Sequence, residues 1–320
     1  MRVLANDGIS QVGINKLEEA GFTVDTNYLE PDELAARIND YDVLLVRSAT
    51  KVRKDLIDTA TNIKIIGRGG VGMDNIDVEY ARSVGKHVIN TPAASSNSVA
   101  EMVFAHLLGM CRFLPQMNRK MPSDGNSNFK ALKKSASKGK EIYGKTLGIM
   151  GIGRIGKQTA RIAIGAGMNV IAYDPYVDSA SVKVDFHPSL GVPPIDVPIK
   201  MVNKEEILAQ SDFISMHIPG GQEPVLQSAD FAMMKDGAGL VHCARGGVVD
   251  ESALKQAIES GKLAYVGLDV FENEPNIDAS ILTYDNVSYT PHIGAATTEA
   301  QDRIGLELAD QIISLLSESA

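Results

Sequence analysis

The chain has 320 residues, room for about two domains at roughly 150 residues each and for a core that needs no stapling. Hydrophobic residues make up 44% and charged residues 22%, which disfavours disorder, a collagen-like repeat and a coiled coil. The net charge of -9 argues against a nucleic-acid binder, and the 2 cysteines, Cys111 and Cys243, lack metal-ligand spacing. With no signal-like start and no long apolar run, a cytoplasmic protein without resident metal or membrane span is expected.

Short apolar runs alternate with amphipathic segments. Strands are predicted at 2–5, 22–24, 41–47, 63–66 and 87–90, with helices over 10–20, closed by Gly21, and 31–38, opened by Pro31. The small, polar stretch NTPAASSNS (90–98) reads as a hinge leading into the long apolar helix VAEMVFAHLLGMCRFL. Next come Lys130, Lys133, Lys134, Lys138 and Lys140, either a solvated loop or a contact for an anionic group. The strand pattern restarts at 146–150, 169–173, 213–217, 239–243, 264–268 and 287–290. A second hinge, TPHIGAATT (290–298), leads into a last helix with Ile304, Leu308, Ile312 and Leu315 on one face. Runs such as IKII, VIAY and LVHC show no polar alternation, so helices cover both sheet faces. The expected fold is α/β, with two doubly wound parallel-sheet (Rossmann-like) domains. Packing the last helix back on the first domain makes that domain discontinuous: 1–95 and 293–320 for substrate, 96–292 for cofactor.

The pattern G-x-G-x-x-G occurs twice. GIGRIG follows the strand TLGIM and opens a helix rich in small residues, and the next strand ends in Asp174. A dinucleotide needs this arrangement: Gly151 for the tight turn, Gly153 for close approach of the pyrophosphate, Gly156 for helix–strand packing, and the helix N-terminus facing the phosphates. Asp174 would accept hydrogen bonds from the adenine ribose. Pro175, Tyr176 and Val177 offer no cation for a 2′-phosphate, so NAD is expected rather than NADP. GRGGVG (67–72) has no acid on the strand that follows; its Gly69, Gly70 and Val71 are read as a nest for a substrate carboxylate or as a structural turn.

Oxidising a 2-hydroxy acid needs a cation for the carboxylate and a base near pH 7. Arg245 follows the strand GLVHC, at a carboxyl end where such sheets bind ligands. Among the histidines, His106 falls in the apolar helix and is expected to be packed, and His242 lies within a strand. His217, with Pro219, ends FISMH where a cofactor would pass. His292, at a strand end and a hinge, is the best acid/base candidate, and Glu274 could hold its imidazole and favour the protonated form. Asp269, ending AYVGLD, could face the nicotinamide amide. Spacing alone does not show that Arg245, Glu274 and His292 converge.

GIGRIG, the later YDP, CARGGVVDESAL, GLDVFENEP and TPHIGAAT, in this order, resemble the D-isomer-specific 2-hydroxyacid dehydrogenases over nearly the whole chain. The resemblance implies Arg245 on the substrate carboxylate, His292 as acid/base and Glu274 as its partner. It also implies NAD contacts at Arg154, Ile155, Asp174, Cys243, Ala244, Arg245, Asp269, His292, Gly294 and Ala295. A split catalytic domain, an active site between domains and a homodimer formed through the long helix complete the family pattern. VRSATKV, GRGGVGMDNID and NTPAASSNSVAE are most similar to the branch acting on 3-phosphoglycerate. That branch implies substrate contacts at Arg47, Ser48 and Thr50, with Lys133, Lys134 or Lys138 helping to hold a phosphate.

Two departures stand out: HIPGGQEPVL replaces a usual proline-leucine-threonine run, and 182–200 is longer than usual. Because the sequence stops after the final helix, the regulatory domain of longer relatives and its feedback inhibition are expected to be absent. Alternatives are reduction of glyoxylate or hydroxypyruvate, and an NAD-sensing binding protein, which would not need an intact acid/base pair. A formate dehydrogenase is disfavoured, since that branch replaces the glutamate with glutamine.

Overall fold

The computed structural model describes residues 1–317. The chain divides into two compact units, residues 1–98 with the segment from 295 onward, and residues 99–294. Both cuts fall a few residues beyond the expected ones at 95/96 and 292/293. Ile293 and Gly294 stay with the second unit because their N–H groups donate to the Asp269 carboxylate at 2.8 Å each.

The first unit runs β1 (Arg2–Ala5), α1 (Gln11–Glu19), β2 (Thr23–Asp25), α2 (Pro31–Arg37), β3 (Val43–Val46), α3 (Lys54–Thr59), β4 (Ile65–Arg68), α4 (Val78–Ser83) and β5 (His87–Asn90). Its strands are all parallel, in the order β2-β1-β3-β4-β5. Successive side chains point to opposite faces of a strand. Val3, Val43, Leu45 and Ile65 therefore pack with Leu17 of α1, while Leu4, Leu44, Val46 and Ile66 pack with Leu34, Leu56 and Ile57. Burial on both faces explains why these strands carry no polar alternation.

The second unit contains most of α5 (Ser96–Cys111), then α6 (Leu114–Asp124), α7 (Phe129–Ser135), β6 (Thr146–Met150), α8 (Arg154–Gly165), β7 (Asn169–Tyr173), β8 (Ala180–Val184) and β9 (Ile195–Met201). It continues through α9 (Lys204–Gln210), β10 (Phe213–Met216), α10 (Ser228–Met233), β11 (Ala238–His242), α11 (Glu251–Glu259), β12 (Leu263–Leu268) and β13 (Val287–Tyr289). The strand order is β13-β12-β11-β10-β6-β7-β9-β8. The sheet is parallel except for β8, which pairs antiparallel with β9, and this edge hairpin spans the stretch 182–200 noted as longer than usual, where no strand was predicted. Its signal was weak because only Val182 and Ile199 are buried and Pro198, with no N–H, sits inside β9.

The last helix, α12 (Thr298–Ser317), places Ile304, Leu308 and Ile312 in the cluster of Val3, Val43 and Ile65. It crosses α1 where Gly13 meets Gly305, and a Cβ on Gly13 would lie 2.8 Å from the Gly305 Cα. Backbones this close leave no space for a side chain. Gly305→Val is expected to destabilise the protein by about 1–3 kcal/mol, the usual cost of overpacking a filled contact. Thermal unfolding checks this, and an unchanged midpoint would contradict it. Among the described residues no helix is long and apolar enough to cross a membrane.

Candidate active site

The strand order of the second unit reverses between the parallel neighbours β6 and β10, the switch point at which open α/β sheets bind ligands at their carboxyl ends. The turn after β6 supplies Gly151 at φ 98°, where a Cβ would lie 2.7 Å from the His217 carbonyl carbon. Gly156 packs equally close, 2.1 Å from its Cβ position to the Gly151 carbonyl oxygen. Gly153 faces open space, and Arg154 and Ile155 begin α8. Asp174, just past β7, accepts from the Ile152 N–H at 3.0 Å and from the Tyr176 N–H at 3.0 Å, which fixes its carboxylate beside the glycine turn. His217 bonds Ser215 at 2.9 Å through Nε2, and its Nδ1 is buried without a partner. Burial and the neighbouring His242 push His217 down to about 3, so it is neutral at pH 7. Pro219 beside it is exposed, whereas Cys243 and Ala244 are buried.

The expected acid/base group does assemble. Glu274 Oε2 accepts from His292 Nδ1 at 2.6 Å, and Glu274 Oε1 accepts from the Phe271 N–H at 2.8 Å. Burial alone would push the Glu274 carboxyl up, but these two hydrogen bonds and the charges of His292 and Arg245 hold it below its ordinary value. A carboxylate on Nδ1 keeps that proton in place and leaves Nε2 to exchange a proton. His292 adopts φ 54°, unusual for a residue with a side chain, on a turn tied at both ends. Its own N–H donates to the Thr290 carbonyl at 3.1 Å. Asp269 beneath the turn is buried and accepts from Thr290 Oγ1 at 2.6 Å as well as from Ile293 and Gly294, leaving little of its carboxylate for a nicotinamide amide.

Arg245 is half-buried, and one guanidinium N–H donates to the Ala244 carbonyl at 2.7 Å. The next residue, Gly246, lies against the chain leading to Glu274: a Cβ there would be 1.9 Å from the Phe271 carbonyl oxygen. Only glycine permits this approach, which is how the ARGG and FENEP motifs come together. Glu251, opening α11, and Glu272 exchange backbone-to-carboxylate hydrogen bonds of 2.7 and 3.2 Å, a clamp on the Glu274 loop that sequence reasoning missed.

In the first unit the sheet reverses between β1 and β3, and the loop after β3 carries Arg47, Ser48 and Thr50. Asp7, just past β1, accepts from the Arg47 N–H at 2.6 Å and from the Thr50 hydroxyl at 2.5 Å. Asn6 donates to that hydroxyl at 2.8 Å, and Asn75 donates to the carbonyls of Arg47 and Thr50. The Thr50 side chain is thus buried and bonded within the loop, while Ser48 is exposed. The expected carboxylate nest narrows as well. The Gly69 N–H already donates to the Val46 carbonyl at 2.9 Å, which leaves Gly70 and Val71. Arg68, absent from the sequence reading, lays its guanidinium over Gly70, where a Cβ would fall 1.8 Å from it. The Arg47 stem lies 3.6 Å from the corresponding position on Gly69.

Residues 104–294 match the family model described as D-isomer specific 2-hydroxyacid dehydrogenase, NAD binding domain. The chain belongs to the D-isomer specific 2-hydroxyacid dehydrogenases. A hydroxypyruvate reductase of Thermotoga maritima is 42% identical, the match covering 98% of each chain. A D-3-phosphoglycerate dehydrogenase of Methanocaldococcus jannaschii is also 42% identical, but the match covers 99% of this chain and only 57% of that one. Among solved structures, TT0316 protein from Thermus thermophilus is 28% identical with a TM-score of 0.85, covering 99% of this chain and 97% of that one. An NAD+-bound 3-phosphoglycerate dehydrogenase of Entamoeba histolytica is 26% identical with a TM-score of 0.78, covering 100% and 96%.

This dehydrogenase uses NAD, and the glycine turn suits it: Gly153 faces open space at the N-terminus of α8, where a pyrophosphate would fit, and the fixed Asp174 carboxylate suits ribose hydroxyls. Asp174→Ala is expected to raise the Kd for NADH by about tenfold, or about 1.4 kcal/mol. Fluorescence titration checks this; an unchanged Kd would take Asp174 out of cofactor binding.

Proposed function

We propose that this dehydrogenase oxidises D-3-phosphoglycerate to 3-phosphohydroxypyruvate with NAD, the entry step of serine biosynthesis. The observation carrying the chemistry is the 2.6 Å contact between His292 and Glu274 next to Arg245. Arg245 holds the substrate carboxylate as a fork of N–H donors. His292 Nε2 takes the hydroxyl proton, and Glu274 stabilises the imidazolium through Nδ1. When bound, NAD supplies the acceptor for the hydride leaving C2. The neutral His217, with Pro219, Cys243, Ala244, Gly294 and Ala295, lines the cofactor, and Asp269 supports that lining chiefly by holding the turn after His292.

The phosphorylated substrate is favoured by the cations of the first unit, since Arg47 and Arg68 at adjacent strand ends, with the Gly70 and Val71 N–H groups, suit an acid carrying a second anion. The protein acts as a cytoplasmic homodimer in this reading. A second reading, reduction of hydroxypyruvate or glyoxylate, is favoured by the relative named hydroxypyruvate reductase, matched over 98% of each chain. A panel of 2-hydroxy and 2-oxo acids followed by NADH absorbance separates the two. The first reading expects the highest kcat/KM on 3-phosphoglycerate or its oxidised product, and a preference for unphosphorylated acids would replace it with the second. His292→Gln is expected to lower kcat by at least about a hundredfold while leaving NADH binding intact; unchanged turnover would remove His292 from the mechanism.

A further inference from the structure

The helix α5 carries one buried imidazole, His106, whose two ring nitrogens both have partners on β13 and the residue just after it. Nδ1 lies 2.8 Å from the Ser288 hydroxyl and Nε2 2.9 Å from the Thr290 hydroxyl. The direction of these bonds follows from their far end. The Asp269 carboxylate accepts from two backbone N–H groups and lies 2.6 Å from Thr290 Oγ1, so the Thr290 proton points to Asp269. Thr290 Oγ1 must then accept from His106 Nε2–H, which leaves His106 Nδ1 to accept from Ser288. Burial lowers the pKa of His106, so the neutral imidazole that this pattern requires is the stable form.

The sheet makes room for the ring. Gly267, inside β12, would with a Cβ come 2.6 Å from the His106 Cβ, so any larger residue there would displace it. Ser288, His106, Thr290 and Asp269 thus form one polarised chain that ends on the N–H groups of Ile293 and Gly294, immediately after His292.

We propose that His106 is a positioning residue: through Thr290 and Asp269 it fixes the turn that presents the His292 imidazole in its left-handed backbone conformation. An apolar residue of similar size would fill the space between α5 and β12 but leave the half-buried Thr290 and Ser288 hydroxyls without their partner, so the turn would lose its single register. The proposal rests on His292 being the acid/base.

The test compares His106→Leu with His106→Gln in the full-length protein, alongside His292→Gln as a control. Gln reproduces one N–H donor and one acceptor, whereas Leu supplies packing alone. Both variants are checked for thermal midpoint and NADH affinity, and kcat is measured at saturating NAD and substrate. His106→Leu is expected to lower kcat by about tenfold or more, the scale of a small misplacement of a catalytic group, with NADH affinity within about twofold of the parent. His106→Gln is expected to recover most of that loss, even where its thermal midpoint is lower than that of His106→Leu. A His106→Leu enzyme with parental kcat, or a His106→Gln enzyme as slow as His106→Leu, would overturn the proposal, while a His292→Gln enzyme that has lost its turnover leaves the acid/base assignment standing. If His292→Gln keeps its turnover, the acid/base assignment itself falls and His106 has no such role.

Discussion

One hydrogen bond organises this site: the 2.6 Å contact of His292 Nδ1 with Glu274. An imidazole free to rotate presents either nitrogen, and only a partner on Nδ1 makes Nε2 the proton-exchanging atom. Much of the surrounding structure serves to keep both ends of that bond still. Glu274 is held from below by the Phe271 N–H, its loop is clamped through Glu272 to Glu251, and Gly246 lets the Arg245 segment lie against the Phe271 carbonyl. His292 in turn sits on a turn whose far side is tied to Asp269. Of these groups Asp269 and Glu251 are buried and would be costly unpaired, and here their pairing converts the cost into a single geometry.

The two sheets solve the same placement problem in the same way. In each, the strand order reverses once, and the residues at the carboxyl ends of the two strands flanking the reversal carry the candidate ligand groups. In the first unit these are Asp7 and Arg47, linked at 2.6 Å; in the second they are Gly151 and His217. Strands buried on both faces leave only their ends for chemistry, which is why an acidic protein gathers its arginines there.

The fold was legible because it rests on patterns that survive in one dimension: uninterrupted apolar runs for strands covered on both faces, and glycines where backbones touch. GIGRIG announced the nucleotide turn, and Arg245, Glu274 and His292 stood out as chemistry-bearing residues at strand ends. Their meeting was not legible, since it depends on Gly246 lying against Phe271, a contact between segments distant in sequence. The edge hairpin β8–β9 escaped notice because an edge strand buries few residues and tolerates proline. The partners of Thr50 and Gly69, Asp7 and Val46, lie on other segments and were not legible either. His106 looked like core because its neighbours on α5 are apolar; its partners Ser288 and Thr290 lie on a strand far along the chain.

A double-mutant cycle on kcat between Glu274→Gln and His292→Gln tests the organising bond most directly, because Glu274 is held to act only through His292. The expected result is that the double variant is no slower than His292→Gln alone. Losses that multiply, with the double variant slower by the product of the two single effects, would show that Glu274 acts independently of the imidazole and would contradict the account.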